Sequence, residues 1–198
     1  FPVGAFAYSH GLETAIESGV IASADDLQAW LTDLLNYASG RSDCILLRMS
    51  YGAVDIAALH HVNASALALC ASRERQMETR LQGAAFCKTT AAIWGNDLPD
   101  LAYPVAVGAA AARADIDLSM SCQMYLQSFA SNLVSAAVRL VPLGQTEGQR
   151  VLAALTPLCT KIANETTDCT LDDLQSLCFA SDISAMRHET LQPRIFRT

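Results

Sequence analysis

The sequence predicts an all-α fold: a single-domain helical bundle of roughly eight to ten helices. Apolar residues recur at steps of three and four along most of the 198 residues, the period of one helical face. No segment alternates apolar and polar residues for long enough to indicate a sheet. At 52% hydrophobic residues the chain can fill one core, and no linker divides it. One domain over residues 1–198 is expected, with the extreme N-terminus missing because the sequence opens on Phe1.

The first half of the sequence carries the patterns of five helices. A short helix has apolar residues stepping by four between Leu12 and Val20. The next begins behind Ser23, whose spacing to Asp26 matches a capping box, and Gly40 is expected to close it. Further helices are predicted over residues 45–54, 55–70 and 73–94.

A long central helix is predicted over residues 117–141. Pro142 is expected to stop it, and Gly144 permits a positive φ in the turn that follows. The spacing from Thr146 to Gln149 matches a capping box and predicts that the next helix begins near Thr146. The core-facing stripe of the central helix consists of Leu126, Phe129, Leu133, Ala137 and Leu140.

Three further helix boundaries follow from proline and capping signals. Pro104 is suited to the first turn of an Ala-rich helix that continues to Ala114. Pro157 either opens a fresh helical turn or kinks or breaks a helix over residues 146–164, and the second interpretation is favoured. Thr170 with Asp173 is expected to cap the last helix. The apolar members of that helix would be Leu174, Leu177, Cys178 and Met186.

Charge and composition exclude several classes of protein. The formal net charge of -7, without a cluster of Lys and Arg, argues against nucleic-acid and anionic-membrane surfaces. The least polar stretches carry polar residues or are too short for a membrane span. The sequence has no P-loop and no dinucleotide-binding glycine motif. Seven irregularly spaced cysteines without a CxxC pair indicate small buried hydrophobes in a reducing, cytoplasmic setting.

The histidines and the polar residues near the N-terminus offer little for catalysis. His60 and His61 point to different sides of a helix, so an exposed or core-rim position is expected, with transient metal contact as the alternative. Ser9, His10 and Glu13 could be taken for a nucleophile and a base, but adjacent side chains diverge and no third orienting residue is indicated. No catalytic, cofactor-binding or metal-binding residue is assigned.

The C-terminal tail, residues 190–198, has the composition of a docking segment. From Arg187 onward the chain has three arginines and one glutamate, and Pro193 prevents a helix from continuing. Arg194 and Arg197 offer planar donors, with Phe196 as an apolar anchor between them. The tail is expected to be poorly ordered in the free protein unless its side chains find pockets. A frayed terminus is the alternative.

Motifs over nearly the whole chain are those of one protein family. Residues 1–13 read FPVGAFAYSHGLE, and the chain closes with MRHET followed by RIFR. Between them, in order, are Glu78-Thr79 with Gln82-Gly83, Pro104-Val105 with Gly108, and Pro142-Leu143-Gly144-Gln145-Thr146 with Gly148-Gln149. Together these resemble the UreF family of urease accessory proteins. Residues 191–193 depart from the family, which more often has a polar or aromatic run there.

The resemblance implies an all-helical homodimer without catalytic activity or cofactor. Members of that family bridge urease bound to the accessory protein UreD, also called UreH, and the GTPase UreG. They help to deliver nickel to the apo-urease active site, and they modulate the GTPase so that GTP hydrolysis is coupled to delivery. Nickel is thought to pass through internal tunnels. The apolar composition by itself also favours self-association.

Two regions are the candidate partner-binding surfaces: the turn after the central helix and the C-terminal end. The residues assigned to them are Gln145, Glu147, Gln149, Arg187, His188, Glu189, Arg194, Phe196 and Arg197. An assembly scaffold agrees best with such motifs, which lack an acid, a base and a nucleophile. The alternative is a metallochaperone that itself holds nickel through His or Cys, although paired ligands are missing. A helical hydrolase is the weakest hypothesis.

Overall fold

The computed structural model of the chain describes residue 1 and residues 3–95, 97–141 and 143–198, and these contain helices but no strand. The α-helices are α1 (Leu12–Glu17), α2 (Ala24–Tyr37), α3 (Ser39–Tyr51), α4 (Ile56–Ala68), α5 (Arg73–Trp94), α6 (Tyr103–Arg113), α7 (Leu118–Leu140), α8 (Gln145–Glu165) and α9 (Phe179–His188). Short 3-10 turns lie at Ala5–Ala7 and Leu171–Asp173. None of the helices described combines the length and apolarity needed to cross a membrane. The all-helical prediction is confirmed.

Helix α7 carries the predicted stripe into the core. Leu126, Leu133 and Ala137 are fully or almost fully buried, while Phe129 and Leu140 are half-buried at its edge. Burial of a leucine side chain contributes about 1.5–3 kcal/mol. The stripe therefore supplies a large part of the force that holds α7 among its neighbours α1, α2, α3, α6 and α8.

Two hydrophobic clusters form the interior. The first core cluster lies among α1, α2, α7 and α8, and the second lies among α4, α5 and α6. Helix α3 contributes buried residues to both and packs along α6. Two glycines allow helices to pack closely against the backbone of neighbouring segments. A Cβ at Gly108 would collide with the carbonyl oxygen of Leu47, and one at Gly83 would collide with that of Leu101.

Several helix starts agree with the capping signals. Ser23 Oγ accepts a hydrogen bond from Asp26 N at 3.2 Å, directly before α2. Helix α5 spans Arg73–Trp94, as the pattern predicts. Pro104 lies in the first turn of α6, where its missing N–H costs nothing.

The boundary between α2 and α3 differs from the prediction. Gly40 does not close α2, which ends at Tyr37; it lies in the first turn of α3. A Cβ at Gly40 would be 2.6 Å from Leu35 Cα, so glycine is needed here for close packing against the preceding helix.

The turn between α7 and α8 uses its glycines differently from the expectation. Val141 is extended and ends α7, while Pro142, the predicted stop, is outside the described residues. Gly144 has φ -69°, so the left-handed conformation that it permits is not adopted. Gly148 is the close-packing residue, because a Cβ there would be 2.7 Å from Val138 Cγ2.

Helix α8 begins one residue before the predicted Thr146. Gly144 occupies the N-cap position, and its N–H donates to Glu147 Oε2 at 2.9 Å. The capping carboxylate is therefore Glu147, not the expected pair of Thr146 and Gln149. The helix continues past Pro157 to Glu165 without a break.

The last helix is shorter than predicted. Thr170 and Asp173 do form a cap, with Thr170 N donating to Asp173 Oδ2 at 2.8 Å, but it serves a single 3-10 turn. The chain then runs without a helix until α9 starts at Phe179. Contacts with other elements keep this segment from becoming helical. One of them is the hydrogen bond that Leu177 N donates to Tyr37 O at 2.9 Å.

Candidate functional site

The C-terminal tail is built into the fold beside the N-terminal segment. Phe196 is 3% exposed and Thr198 is 2% exposed. Arg197 N donates to Ala7 O at 2.8 Å, and Ser9 N donates to Thr198 O at 2.7 Å. The tail was expected to be poorly ordered unless its side chains found pockets, and in this structure its side chains and backbone do find partners within the same chain. Phe196 is buried within this chain, and its assignment as an anchor for a partner stays a prediction.

Glu13, at the start of α1, holds the backbone of the tail. Its carboxylate accepts hydrogen bonds from Ile195 N at 2.6 Å and Phe196 N at 2.9 Å, and its Oε2 is 3.0 Å from His188 Nε2. Burial opposes ionisation, but these hydrogen bonds outweigh it and keep the pKa of Glu13 below its usual value. An ionised Glu13 therefore joins α1, α9 and the tail.

His188 lies between two carboxylates. Its ring is fully buried, with Nδ1 2.7 Å from Glu74 Oε2 and Nε2 facing Glu13. Glu74 also pairs with Arg194 of the tail at 2.5 Å. The ring of His188 is enclosed by acceptors from α1 and α5, and its assignment to a partner-binding surface stays a prediction.

A second buried carboxylate, Glu78, holds the end of the tail. It pairs with Arg75, lies 2.8 Å from His10 Nε2, and accepts from Gln82 Nε2 and Thr198 Oγ1 at 2.9 Å each. Burial favours the neutral acid, but Arg75 and His10 more than compensate and lower the pKa of Glu78 to about 2. Burial lowers the pKa of His10, with Arg75 adding to the effect.

The backbone conformation at His10 and Gly11 orients the side chains of His10 and Glu13. Both residues have left-handed dihedrals, with φ 56° and 76°. A Cβ at Gly11 would be 2.5 Å from Ala185 N, so glycine lets α1 start against α9. The Ser9 hydroxyl donates to the carbonyl of Thr198 rather than to His10. This arrangement is not that of a nucleophile and its base.

Two cavities meet at His10, Asp43 and Arg75, which line both of them. The space within them that admits water-sized molecules is about 40 Å³ in one and about 50 Å³ in the other. Asp43 is half-buried and accepts a hydrogen bond from Tyr125 Oη at 2.7 Å. Burial is the main cause that raises the pKa of Asp43 to about 6. The imidazole of His10, the carboxyl group of Asp43 and the guanidinium of Arg75 thus form a polar partition between the two cavities.

Metal ligands show no comparable organisation. In the part of the chain that the structure describes, no three His, Cys, Asp or Glu residues are arranged to hold a metal ion. His60 and His61 are both exposed on α4.

Known proteins match this chain over its full length. The profile of the UreF family matches residues 21–156. All 198 residues align with the urease accessory protein UreF of Ruegeria pomeroyi at 52% identity, covering 91% of that protein. The corresponding proteins of Roseobacter denitrificans and Cereibacter sphaeroides are 52% and 48% identical, over 89% and 93% of their lengths. The chain belongs to the UreF family of urease accessory proteins.

In this UreF family member, most of the predicted partner-binding residues are accessible. Glu189 is half-buried and accepts from Arg73 N at 2.8 Å, so it caps the start of α5. Arg139, on the last turn of α7, reaches the tail, with its guanidinium 4.8 Å from the ring centroid of Phe196 and donating to Phe6 O at 3.1 Å. The exposed members of the set are Gln145, Glu147, Gln149, Arg187, Arg194 and Arg197.

The carboxylates that hold the tail are not among the predicted site residues. Glu74, Glu78 and Gln82 recur at steps of four, so they share one face of α5. A polar row at that spacing was a usable signal, because it gives the helix a polar stripe within a largely apolar chain. Glu13 lay within the N-terminal motif, yet its partners are 175 or more positions away and no local pattern reveals them.

Proposed function

We propose that this protein is a non-catalytic scaffold of urease maturation in the cytoplasm, joining UreD-bound apo-urease to the GTPase UreG during nickel insertion and modulating the GTPase cycle. The observation that carries the proposal is the composite surface made by the N-terminal segment, α5 and the tail. This surface is held by buried ion pairs and has the character of a docking site. The finer partner assignments come from the family resemblance.

A groove on this surface is suited to an acidic, apolar segment of a partner. Phe6 and Ile195 are 72% and 73% exposed at its edge, and Leu81 is 47% exposed. Arg139 and Arg197 also line the groove, whereas its described lining residues include no carboxylate. In a chain of net charge -7, two arginines beside exposed apolar side chains complement an acidic partner surface.

The start of α8 provides a second contact region in this proposal. Gln145 and Gln149 are exposed, and neither is needed for the cap that Glu147 supplies. Their side chains can therefore be presented to a partner without a cost to the helix.

Self-association is part of the proposal. Helix α9 turns its small residues Ser181 and Ala185 inward, because Gly11 of α1 packs against this face. Its large apolar side chains point outward, 47–68% exposed: Phe179, Ile183 and Met186. A second copy covering this row would remove apolar surface that a monomer leaves in water.

The two cavities support a role in passing a small cation. Asp43 supplies a carboxyl group between them, and its pKa of about 6 leaves it largely ionised at neutral pH. We infer that nickel in transit would meet this carboxylate at the partition formed with His10 and Arg75.

Co-purification with UreD-bound urease and UreG tests the scaffold. Ile195→Ala and Arg197→Ala should leave the thermal melt within about 2 °C of wild type and weaken capture about tenfold, the effect of losing about 1.4 kcal/mol of contact. Val54→Ala is the matched control, since Val54 is 91% exposed in the connection between α3 and α4. Wild-type capture by both groove variants, in a complex that activates urease normally, would rule out the groove as the docking site.

A further inference from the structure

His188, the last residue of α9, has a carboxylate at each of its two ring nitrogens. Nδ1 is 2.7 Å from Glu74 Oε2 on α5, and Nε2 is 3.0 Å from Glu13 Oε2 on α1. His188 is 0% exposed, so solvent does not reach either nitrogen. The ring therefore depends on these two carboxylates for its hydrogen bonds.

Both carboxylates are held in their ionised form by other partners. The two oxygens of Glu13 accept hydrogen bonds from the backbone N–H groups of Ile195 and Phe196, at 2.6 Å and 2.9 Å. Glu74 Oε1 is 2.5 Å from Nη1 of Arg194, whose guanidinium is always charged. Neither Glu13 nor Glu74 is therefore placed to offer a proton to the ring.

This geometry requires two protons on the imidazole of His188. A neutral imidazole donates from one nitrogen and presents a lone pair at the other, and here that lone pair would face a carboxylate oxygen. The imidazolium donates from both nitrogens. Its charge and that of Arg194 together balance Glu13 and Glu74, whereas a neutral ring would leave one buried negative charge without compensation.

We propose that His188 is a charge-dependent clasp for the C-terminal tail: the doubly protonated ring fastens α9 to α1 and α5, and loss of one proton loosens the tail. When the ring is neutral, one of the two carboxylates must move away from it. Glu13 holds the backbone of Ile195 and Phe196, and Glu74 holds Arg194, so either movement displaces the tail.

The clasp would control one wall of the groove described above. Ile195 and Arg197 line that groove and belong to the segment that Glu13 holds. A rise in pH would therefore change the position of an exposed apolar side chain and of a cation on this surface. The proposal concerns the free chain and does not depend on which partner binds there.

Other charged groups near the tail and on α9 do not produce the same response. Burial lowers the pKa of His10, so this ring is already neutral at neutral pH, and the pKa of Glu78 is about 2, so this carboxylate stays ionised. Arg187 and Glu189 flank His188, and neither side-chain type changes its charge near neutral pH. Histidine does, so a loosening of the tail as pH rises would report on His188.

The test is hydrogen exchange of the full chain between about pH 6 and about pH 9, expressed as protection factors so that the intrinsic effect of pH on exchange is removed. The amides of Ile195 and Phe196 should lose protection by about tenfold or more as pH rises, because a buried charge loses its partner. The amide of Leu133, buried in α7, should keep its protection. NMR of isotope-labelled histidine should show two protonated ring nitrogens in His188 at the acid end, and one of these protons should be lost over the range in which the tail loosens.

His188→Gln removes the charge but keeps a side chain that can donate to one carboxylate. In this variant the amides of Ile195 and Phe196 should have, at every pH tested, the low protection that wild type reaches at the alkaline end. His61→Gln is the matched control, since it removes a histidine that is exposed on α4. Its pH response should equal that of wild type.

The pH series on the wild-type chain decides the question even if His188→Gln fails to fold. The proposal is overturned if His188 carries a single ring proton while Ile195 and Phe196 are protected, or if His188→Gln keeps the protection of wild type. Loss of protection in the tail only together with Leu133 would also overturn it, because that result is global unfolding rather than release of a clasp.

Discussion

Two neighbouring residues in the tail should respond to alanine in opposite ways. Phe196 is 3% exposed and its ring lies under the Arg139 guanidinium, whereas Ile195 is 73% exposed. Removing a buried phenylalanine side chain costs about 3–5 kcal/mol, including the cavity that remains. An exposed side chain away from special features costs less than about 0.5 kcal/mol.

The expected shifts are large enough to separate by calorimetry. For a domain of this size, 1 kcal/mol corresponds to about 2–4 °C, so Phe196→Ala should lower the melting temperature by about 10 °C and Ile195→Ala by no more than about 2 °C. If Ile195 contributes to docking as proposed, Ile195→Ala should weaken partner capture although the protein stays stable. Stability and assembly would then be separated at adjacent positions.

Hydrogen exchange distinguishes global unfolding from release of the tail alone. Phe196 N donates to Glu13 and Arg197 N donates to Ala7 O, so both amides should be protected in wild type and lose protection in Phe196→Ala. A Phe196→Ala variant that melts within about 2 °C of wild type, with both amides already exchanging freely in the parent, would refute the claim that the tail is part of the fold.

Three further predictions concern buried charge and close packing. Because the folded pKa of Glu78 is lowered to about 2, its stabilising contribution is present above the ordinary glutamate pKa of about 4.3 and should be lost as pH falls towards 2; urea titrations from pH 7 to 2 would show no such decline if the ion pairs were unimportant. The pKa of Asp43 is shifted in the opposite direction, to about 6 in the folded state, so stability should decrease as pH rises from about 4 to about 6. Asp43→Asn should add about 1–3 kcal/mol of stability at pH 7 and flatten that part of the pH profile. Gly108→Ala should lower the free energy of unfolding in urea by at least about 2 kcal/mol, because its Cβ would collide with Leu47 O. The control Gly52→Ala, whose Cβ would be 3.7 Å from Arg48 O, should be close to neutral. Equal stability of the two variants would contradict the close approach of α3 and α6.

Helix positions were predictable because they depend on neighbouring residues. The Ser23 cap, the span of α5 and the proline at the start of α6 rest on interactions within one helical turn. Where the prediction failed, at the end of α2 and the start of α9, distant groups competed with the local signal. Gly40 serves packing against Leu35, and Leu177 N bonds Tyr37 across the fold.

The sequence by itself determined the helical class, most helix boundaries, the family and the chemical character of the tail, because periodicity, caps and motifs are recorded in adjacent residues. Only the tertiary structure decided what the tail does in the free chain. Glu13 accepts a hydrogen bond from Phe196 N, 183 positions along the chain, and Glu78 accepts one from Thr198 Oγ1, 120 positions along the chain. The partners of these buried carboxylates therefore come from distant segments. A buried charge requires such partners, and only the folded arrangement of α1, α5 and the tail brings them within hydrogen-bonding distance.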